Sequence, residues 1–377
     1  MASTSPWIVF LGESEEKAMF FSLADSRAAA ARTSDLGMRR DIVLGSSFGW
    51  LTTADELGCL QIVNPVTGQR SRLPDITTIP FVDYSELLYG NKEHYCINMD
   101  LLERTRYEGL PVPVDERWGS TLSKTYMLTG VQMRQWFYRK VILSTSPCPD
   151  SYAAMLILHR KFGVPAFATS EHPTWNVAPS HDGIEDAIHH DGRFYSISYS
   201  GAVETWERDG ATGEYTSKLV AVAPIDRVVN ENFSLVRKYL TAMTNGRLVV
   251  MLKYTWETRM TYRQPRKWSC MLKETRDIGD AAMFVGMNSS LCVSMTPVHP
   301  GIKPGYVYFA DDQLEQVVEC RERRERYTWS HHHSPEEENK IPEQVGVYSL
   351  KDDTVELVQG LARQPWSSLP VWFTPSF

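Results

Sequence analysis

From Ile184 to Val222 the chain alternates apolar and polar positions in short runs: IEDAIHHDGRFYSISYSGAVETWERDGATGEYTSKLVAV. Tyr195, Ile197 and Tyr199 alternate with Phe194, Ser196 and Ser198, the period of a strand with two different faces. Val203, Thr205 and Trp206 continue the pattern. Asp191-Gly192 and Ser200-Gly201 each supply a two-residue hairpin turn, because such turns demand the positive φ that Asp and Gly tolerate. Asp209-Gly210 and Thr212-Gly213 break the chain again before Tyr215. The stretch therefore predicts four short antiparallel strands, a meander of the size of one β-propeller blade.

The pattern recurs, in kind rather than in identity. Asp41 to Leu73 gives DIVLGSS, GWLTTADE, CLQIVNPVTG and QRSRLP, with the turn Asn64 to Gly68 at the relative place of Asp209 to Gly213. Arg139 to Pro179 gives a third unit, RKVILSTSP, YAAMLILHR, VPAFATSEH and TWNVAP. Another runs from Lys238 through YLTAM, the turn Thr244-Asn245-Gly246, RLVVMLKYTW, RMTYRQ and KWSCMLKE. The last holds AAMFVG, SLCVSM, YVYFADD, VGVYSL and TVELV, and its first two strands can be divided between blades in more than one way. Trp7 to Leu11 and Lys17 to Ala24 read as strands, while Arg27 to Arg32 (RAAAAR) reads as a helical turn on propensity. This N-terminal group and a strand from Val371 to Thr374 can complete a sixth blade, which removes an open sheet edge. The expectation is an all-β chain, a single β-propeller over 1–377 with about six four-stranded blades, closed by the N- and C-terminal strands. Two stretches break the rhythm, at about 77–135 (including LERTRYEGLPVPVDERWGS) and about 312–344 (including CRERRERYTWSHHHSPEEENK), and read as insertions.

Composition narrows the class. Hydrophobic residues at 42% and charged residues at 23% suit a globular protein with ample core, and 11 Trp with 17 Tyr favour sheets. The formal charge of −7 argues against a nucleic-acid surface, and no apolar run approaches a membrane span, so neither nucleic acid nor membrane is expected as a partner. The N-terminus MASTSPWIVFLGESEEK has neither the basic start nor the apolar core of a signal peptide. Cys59, Cys96, Cys148, Cys270, Cys292 and Cys320 are scattered with no CxxC pair, which suits free thiols. A cytoplasmic or nuclear location is the expectation.

Several segments resemble one plant family. LGSSFGWLTTADELGCLQIVNPVTGQRSRLP, RKVILSTSPCPDSYAAMLIL, HDGRFYSISYSGAVETWE, GDAAMFVGMNSSLCVSM with PGYVYFADD, and VGVYSLKDDTVEL with PVWFTPS are similar to the plant proteins with domain of unknown function 295. These are the F-box-associated, KIB-type β-propeller proteins. The resemblance spans nearly the whole sequence in the family's order, and it implies a propeller that binds another protein. Many members carry an N-terminal F-box, a helical module that docks on Skp1 in a cullin ubiquitin ligase. Here propeller-like sequence begins at Trp7, which leaves no room for that module and counts against a Skp1–cullin link.

No motif carries a convincing reaction or cofactor. Gly45 to Gly49 matches G-x-S-x-G with Ser47 in the nucleophile place, but it leads into the strand Trp50 to Thr53 rather than a helix, so a hairpin is expected. His331, His332 and His333 with Glu336, Glu337 and Glu338 lack apolar neighbours to fix a metal. His189 and His190 are neighbours on a strand and point to opposite faces, so with His181, Asp182 and Asp191 they read as strand-end and turn residues. Arg321, Arg323, Arg324 and Arg326 beside Trp329 are interleaved with Glu319, Glu322 and Glu325, a mixed-charge loop. Asn232 and Asn288 head glycosylation triplets. Trp50, Tyr195, Trp206, Trp268 and Tyr308 are expected in blade cores. There is no P-loop, dinucleotide fingerprint or HExxH, and no cofactor, metal site or catalytic residue is expected.

Strand order then places a candidate face. Turns joining the second and third strands of a blade share one face of the disc with connections from a fourth strand to the next blade. The insertion at 77–135 is such a connection, and the one at 312–344 lies between a second and a third strand. Both should project from one rim, with Asp55, Glu56, His181, Asp182 and Ser200 beside them. Arg104, Arg106 and Trp118 of the first insertion and Arg324 and Trp329 of the second complete a candidate surface for a protein partner. The competing expectation, a small-molecule or enzymatic propeller using the central pocket, needs carboxylates or His converging at the axis, which the sequence does not place there.

Overall fold

The computed structural model describes residues 5–11, 17–32, 38, 41–85, 94–108, 125–144, 151–223, 235–255, 278–295, 301–310, 312, 345–358, 361 and 369–375. Strands β1 (Trp7–Leu11), β2 (Lys17–Ser22) and β3 (Arg27–Arg32) form an antiparallel meander. RAAAAR is thus a strand, not a helical turn: Ala28 to Ala31 pair residue by residue with Phe21 to Ala18. The cross-strand ladder outweighs the modest helical preference of four alanines.

A second meander contains β4 (Ile42–Ser47), β5 (Trp50–Ala54), β6 (Leu60–Val63) and β7 (Arg70–Arg72). The first insertion holds β8 (Val82–Ser85), β9 (His94–Asn98) and β10 (Thr125–Leu128) in a three-stranded sheet, with helix α1 (Met99–Arg106) after β9. Asn98 caps α1 by accepting the N–H groups of Asp100 and Leu101. The stretch expected to lack strand rhythm therefore carries a small sheet of its own. Its charged and Pro-rich residues 109–124 lie outside the described residues.

Two full meanders follow: β11 (Tyr138–Leu143), β12 (Ala153–Leu158), β13 (Pro165–Thr169) and β14 (Asn176–Val177); then β15 (Ile184–His190), β16 (Arg193–Ser198), β17 (Ala202–Arg208) and β18 (Tyr215–Val222). Strands β19 (Leu235–Ala242) and β20 (Leu248–Thr255) pair next, and the segments RMTYRQ and KWSCMLKE lie outside the described residues. The last sheet has the order β22-β21-β23-β24-β25, from β21 (Ala281–Val285), β22 (Leu291–Ser294), β23 (Tyr306–Ala310), β24 (Val345–Ser349) and β25 (Thr354–Leu357). Here β21 and β23 are parallel, so AAMFVG and SLCVSM share one five-stranded sheet. The stretch at 312–344 accordingly joins the third and fourth strands counted from β22, not a second and a third. Finally β26 (Val371–Phe373) pairs with β1, with Trp7 opposite Phe373 and Val9 opposite Val371.

The blades repeat in bonding as well as in order. Phe48-Gly49 and Asp191-Gly192 are both two-residue turns with positive φ at both positions, joining a first strand to a second. Asn64 Oδ1 accepts the N–H groups of Val66 and Thr67, and Asp209 Oδ1 accepts those of Ala211 and Thr212. Gly68 and Gly213 each close the same loop onto the carbonyl of that Asn or Asp. The Ser200-Gly201 turn is one residue longer than expected, with Tyr199, Ser200 and Gly201 between β16 and β17.

Apolar clusters lock each sheet to the next, because both faces of most strands are covered. Phe167, Met155 and Ile142 meet Phe194, Trp206 and Ile184 between the third and fourth meanders. Ile197, Val203 and Ile188 meet Leu240; Tyr239 and Met251 meet Val285 and Phe309. Phe284, Tyr308 and Ala282 meet Ile8, Phe21 and Trp372. Strand β4 lies against β26 and β11, β11 against β15, and β15 against β19, so first strands stand side by side. Between β4 and β11 a Cβ on Gly45 would sit 2.4 Å from the Val141 carbonyl oxygen. This all-β architecture is a β-propeller.

The turn between β21 and β22 fills the space among those first strands. Gly286, Met287, Asn288, Ser289 and Ser290 are all buried. The Ser289 N–H donates to the Ser46 carbonyl on β4 (2.8 Å), Lys140 Nζ on β11 to the Gly286 carbonyl (3.2 Å), and Ser290 Oγ to Asp186 on β15 (3.3 Å). Asn288, at 0% exposure, offers nothing to a glycosyl transferase.

Candidate functional site

Two layers of polar groups sit where the first strands begin. The sequence writes them as charged dyads inside apolar strands: Arg139-Lys140 on β11, Glu185-Asp186 on β15 and Arg237-Lys238 on β19. Glu185 is the extra residue of a register shift between Ile184 and Asp186, and the central dyad splits between its neighbours. Asp186 receives Lys140 at 2.5 Å, and Glu185 receives Lys238 at 2.6 Å. Asp186 also accepts the Leu240 N–H (2.9 Å), and Glu185 the Lys238 N–H (3.2 Å). Burial pushes both carboxyl groups above their ordinary range, opposed chiefly by their lysine partners.

Asp312 joins the outer layer. Its carboxylate accepts Arg237 (2.7 Å and 3.0 Å) and the Tyr239 hydroxyl (3.2 Å), and Arg139 Nη2 lies 3.9 Å away. Arg139 Nε donates to the Glu185 carbonyl (3.2 Å). Burial pulls Arg139 down, but Tyr199, Asp312 and Glu185 outweigh it and leave it raised. Tyr199 is pushed up by burial, with Arg139 the largest opposing influence. Arg160 lies over the Tyr199 ring at 4.9 Å. Glu185, Asp186 and Asp312 are thus buried carboxylates near the starts of the first strands, each paired with cations rather than free to act. The signal was present as IEDAI between YRKVIL and VRKYL, charged pairs at like positions of three first strands.

The expected surface residues fall partly together. Asp55 accepts the N–H groups of Leu57 and Cys59, which commits it to its own turn, while Glu56 is exposed. That turn meets the insertion: Tyr95 donates to the Leu57 carbonyl (2.9 Å), and Gly130 lies against Leu57. Arg106 donates to the Lys161 and Phe162 carbonyls and pairs with Glu103, so it fastens α1 to the β12–β13 turn. Arg104 is exposed on the same helix. The Tyr107 ring stands edge-on to His181 at 5.4 Å. His181 and Ser200 both hydrogen-bond the Asp182 carboxylate, at 2.7 Å and 2.6 Å. In this trio the carboxylate lies between Ser and His, so no imidazole faces the hydroxyl as a base. Asp312, the first residue of the stretch read as the second insertion, bonds Arg237 and Tyr239 of β19, and 313–344 lie outside the described residues. Trp118, Arg324 and Trp329 lie outside the described residues, as do His331 to His333 and Trp268.

The G-x-S-x-G segment is structural. Ser46 Oγ donates to the Trp372 carbonyl (2.6 Å), Ser47 Oγ accepts the Leu143 N–H (3.3 Å), and Phe48-Gly49 is the hairpin turn. His189 packs edge-on to Phe194 (4.9 Å) and Phe48 (6.4 Å), and burial lowers its pKa to about 4. Among the described residues no three His, Cys, Asp or Glu side chains are grouped to hold a metal.

Aromatic and aliphatic side chains stand exposed along the first insertion and the turn beneath it: Leu57, Tyr84, Tyr126, Met127 and Val131. Lys161 reaches over Tyr126, its Nζ 3.4 Å from the ring centre. None of these was singled out by sequence reading, because isolated apolar residues in a charged stretch carry no period.

No curated protein sequence matched the chain. Among solved structures it is similar to the β-propeller domain of Myceliophthora thermophila Cps50 (Swd1), at 9% identity over 67% of this chain and 80% of that one, TM-score 0.30. It is also similar to a catalytically inactive virginiamycin B lyase from Staphylococcus aureus with quinupristin, at 10% identity over 70% and 85%, TM-score 0.30. The Neurospora crassa Pan2 WD40 domain follows at 11% identity over 65% and 68%, TM-score 0.28. Likeness this distant carries nothing about function. A family model matches far more of the sequence: residues 20–349 fit the KIB1-4 β-propeller, and the chain belongs to that family.

Proposed function

We propose that this chain is a non-enzymatic, protein-binding propeller whose partner docks on the face carrying the first insertion. The observation that carries the reading is the set of exposed apolar side chains at the first insertion: Tyr84 and Tyr126 on one face of its sheet, Met127 on the other, and Leu57 and Val131 on neighbouring turns, with Arg106 fastening helix α1 to the scaffold. Exposed aromatics and Met on a rigid base are what protein interfaces are enriched in. Glu56, Arg104, His181 and Asp182 supply a polar rim close by. On this reading the insertions are elaborations of one propeller, working in the cytoplasm or nucleus, and a Skp1–cullin link is not required.

The test is affinity capture from native tissue with paired variants. Met127→Glu and Tyr84→Glu should each reduce recovery of the partner by tenfold or more, about the effect of losing an interface anchor. Val220→Glu on the exposed outer strand β18 should leave recovery unchanged. Equal recovery with all three variants contradicts the proposed face. Recovery of Skp1 and cullin with the partner would show that a ligase link operates.

A further inference from the structure

The turn between β12 and β13 is held from several sides. The Phe162 and Gly163 N–H groups both donate to the His159 carbonyl, at 2.8 Å and 3.0 Å, and the buried Phe162 ring lies 4.7 Å from that of Phe137. Arg106 of α1 donates to the Lys161 and Phe162 carbonyls, and a Cβ on Gly163 would lie 2.7 Å from its guanidinium. Gly183, just before β15, presses on the same turn: its Cβ would lie 2.9 Å from the Gly163 carbonyl oxygen.

Two exposed cations leave this fixed turn side by side, and each lies on a tyrosine of a different element. Lys161 Nζ stands 3.4 Å from the ring centre of Tyr126 on β10, and Arg160 Cζ 4.9 Å from that of Tyr199 between β16 and β17. A ring face steadies a cation but leaves its remaining N–H donors available, which a carboxylate partner would not. Among the described residues no carboxylate pairs with Arg160, Lys161 or exposed Arg104. Counted in full, these elements carry Arg104, Arg106, Arg160 and Lys161 against Glu103, Glu108 and Asp182. Glu103 is taken by Arg106 at 3.1 Å, and Asp182 by His181 and Ser200. Available positive charge therefore sits beside exposed apolar surface, since Tyr126 remains 38% exposed, on a chain of formal charge −7.

We propose that Arg160 and Lys161 form a cationic clamp at the edge of the docking face, and that the partner meets it with an acidic stretch of chain flanked by an apolar residue covering Tyr126. The proposal rests on the protein-binding reading of this face and names the chemistry of the partner. Charge complementarity of this kind selects the partner and steers its approach, while the apolar contacts hold it. A nucleic acid fits less well, because its evenly spaced phosphates would also meet Glu103, Glu108 and Asp182. An acidic polypeptide places its carboxylates on the two cations alone.

Carbodiimide coupling, which joins a lysine amine to a carboxylate in contact with it, tests the clamp in the captured complex after nuclease digestion. Mass spectrometry should find Lys161 joined to an Asp or Glu of the partner. Lys161→Arg should abolish that link and keep the partner, because the charge remains. Arg160→Glu combined with Lys161→Glu should reduce recovery tenfold or more, and wild-type recovery should fall several-fold between about 0.1 M and about 0.5 M salt. Both side chains are exposed, so the far-ultraviolet circular dichroism of the variants should match the wild type. Full recovery with the double reversal, or a captured complex without a Lys161 link, overturns the clamp. Loss of the partner on nuclease digestion overturns the acidic polypeptide as occupant. If Met127→Glu loses the partner and the double reversal retains it, the docking face stands and the clamp falls. If Met127→Glu and Tyr84→Glu both retain it, the docking face itself falls.

Discussion

Lys238 Nζ lies 2.6 Å from the Glu185 carboxylate, so the first strands of two successive blades are tied by an ion pair that is nearly water-free on both sides. Such a pair stabilises little against an apolar substitute of the same shape, but breaking it leaves a charge without compensation. Lys238→Met should therefore destabilise the fold by about 3–5 kcal/mol, and adding Glu185→Gln should recover most of that loss. Burial already pushes the Glu185 pKa up, and without Lys238 the nearest cation left is Arg237 at 3.7 Å, so the carboxyl group takes up a proton more readily and the deficit of Lys238→Met should shrink as pH falls. Urea unfolding midpoints of the two variants across pH check this.

Gly45 is needed for approach, not for chemistry. With the Val141 carbonyl 2.4 Å from where its Cβ would stand, Gly45→Ala should cost about 1–3 kcal/mol by forcing β4 and β11 apart. Ser47→Ala, by contrast, loses a single long hydrogen bond from Leu143 and should cost about 1 kcal/mol. Chemical denaturation ranks the pair.

The blades were legible because their turns are written in residues with few alternatives. Asn64 to Gly68 and Asp209 to Gly213 fold identically down to the side-chain oxygen that closes each loop. What eluded sequence reading lacked a period. RAAAAR reads as helix until β2 is beside it, and the insertion's sheet alternates too briefly to stand out from its charged surroundings. The parallel β21–β23 pair inverts the usual order, and nothing local to AAMFVG announces it. The axis network was visible as Arg139-Lys140, Glu185-Asp186 and Arg237-Lys238, but its meaning depends on which first strands are neighbours.

His189 gives the fold an acid-sensitive element. Its pKa falls from 6.5 to about 4 through burial, so the native state holds it neutral while the unfolded chain binds a proton first. Its contribution is present above about 6.5 and is lost as pH falls towards 4. His189→Gln should flatten the pH dependence of the unfolding midpoint in that window, with the wild type losing more stability on acidification.

The pairing of β26 with β1 joins residues from the two ends of the chain. Phe373 packs on Phe20 at 6.3 Å, and Trp372 stands edge-on to Phe284 at 5.2 Å. Truncation before Leu369 removes the strand between β1 and β4, together with the Trp372 carbonyl that accepts Ser46. The truncated chain should lose cooperative unfolding and near-ultraviolet circular dichroism, whereas Trp372→Phe should keep both with reduced stability.

On the proposed reading a protein partner covers the face built by the first insertion. Hydrogen–deuterium exchange of the chain with and without its captured partner tests it most directly. Exchange should slow on partner binding at β8 to β10, α1, the turn 55–58 and residues 181–183, with β3 and β18 unchanged. Protection confined to β18, β3 or the Asp191-Gly192 turn, with the insertion exchanging as before, would contradict it.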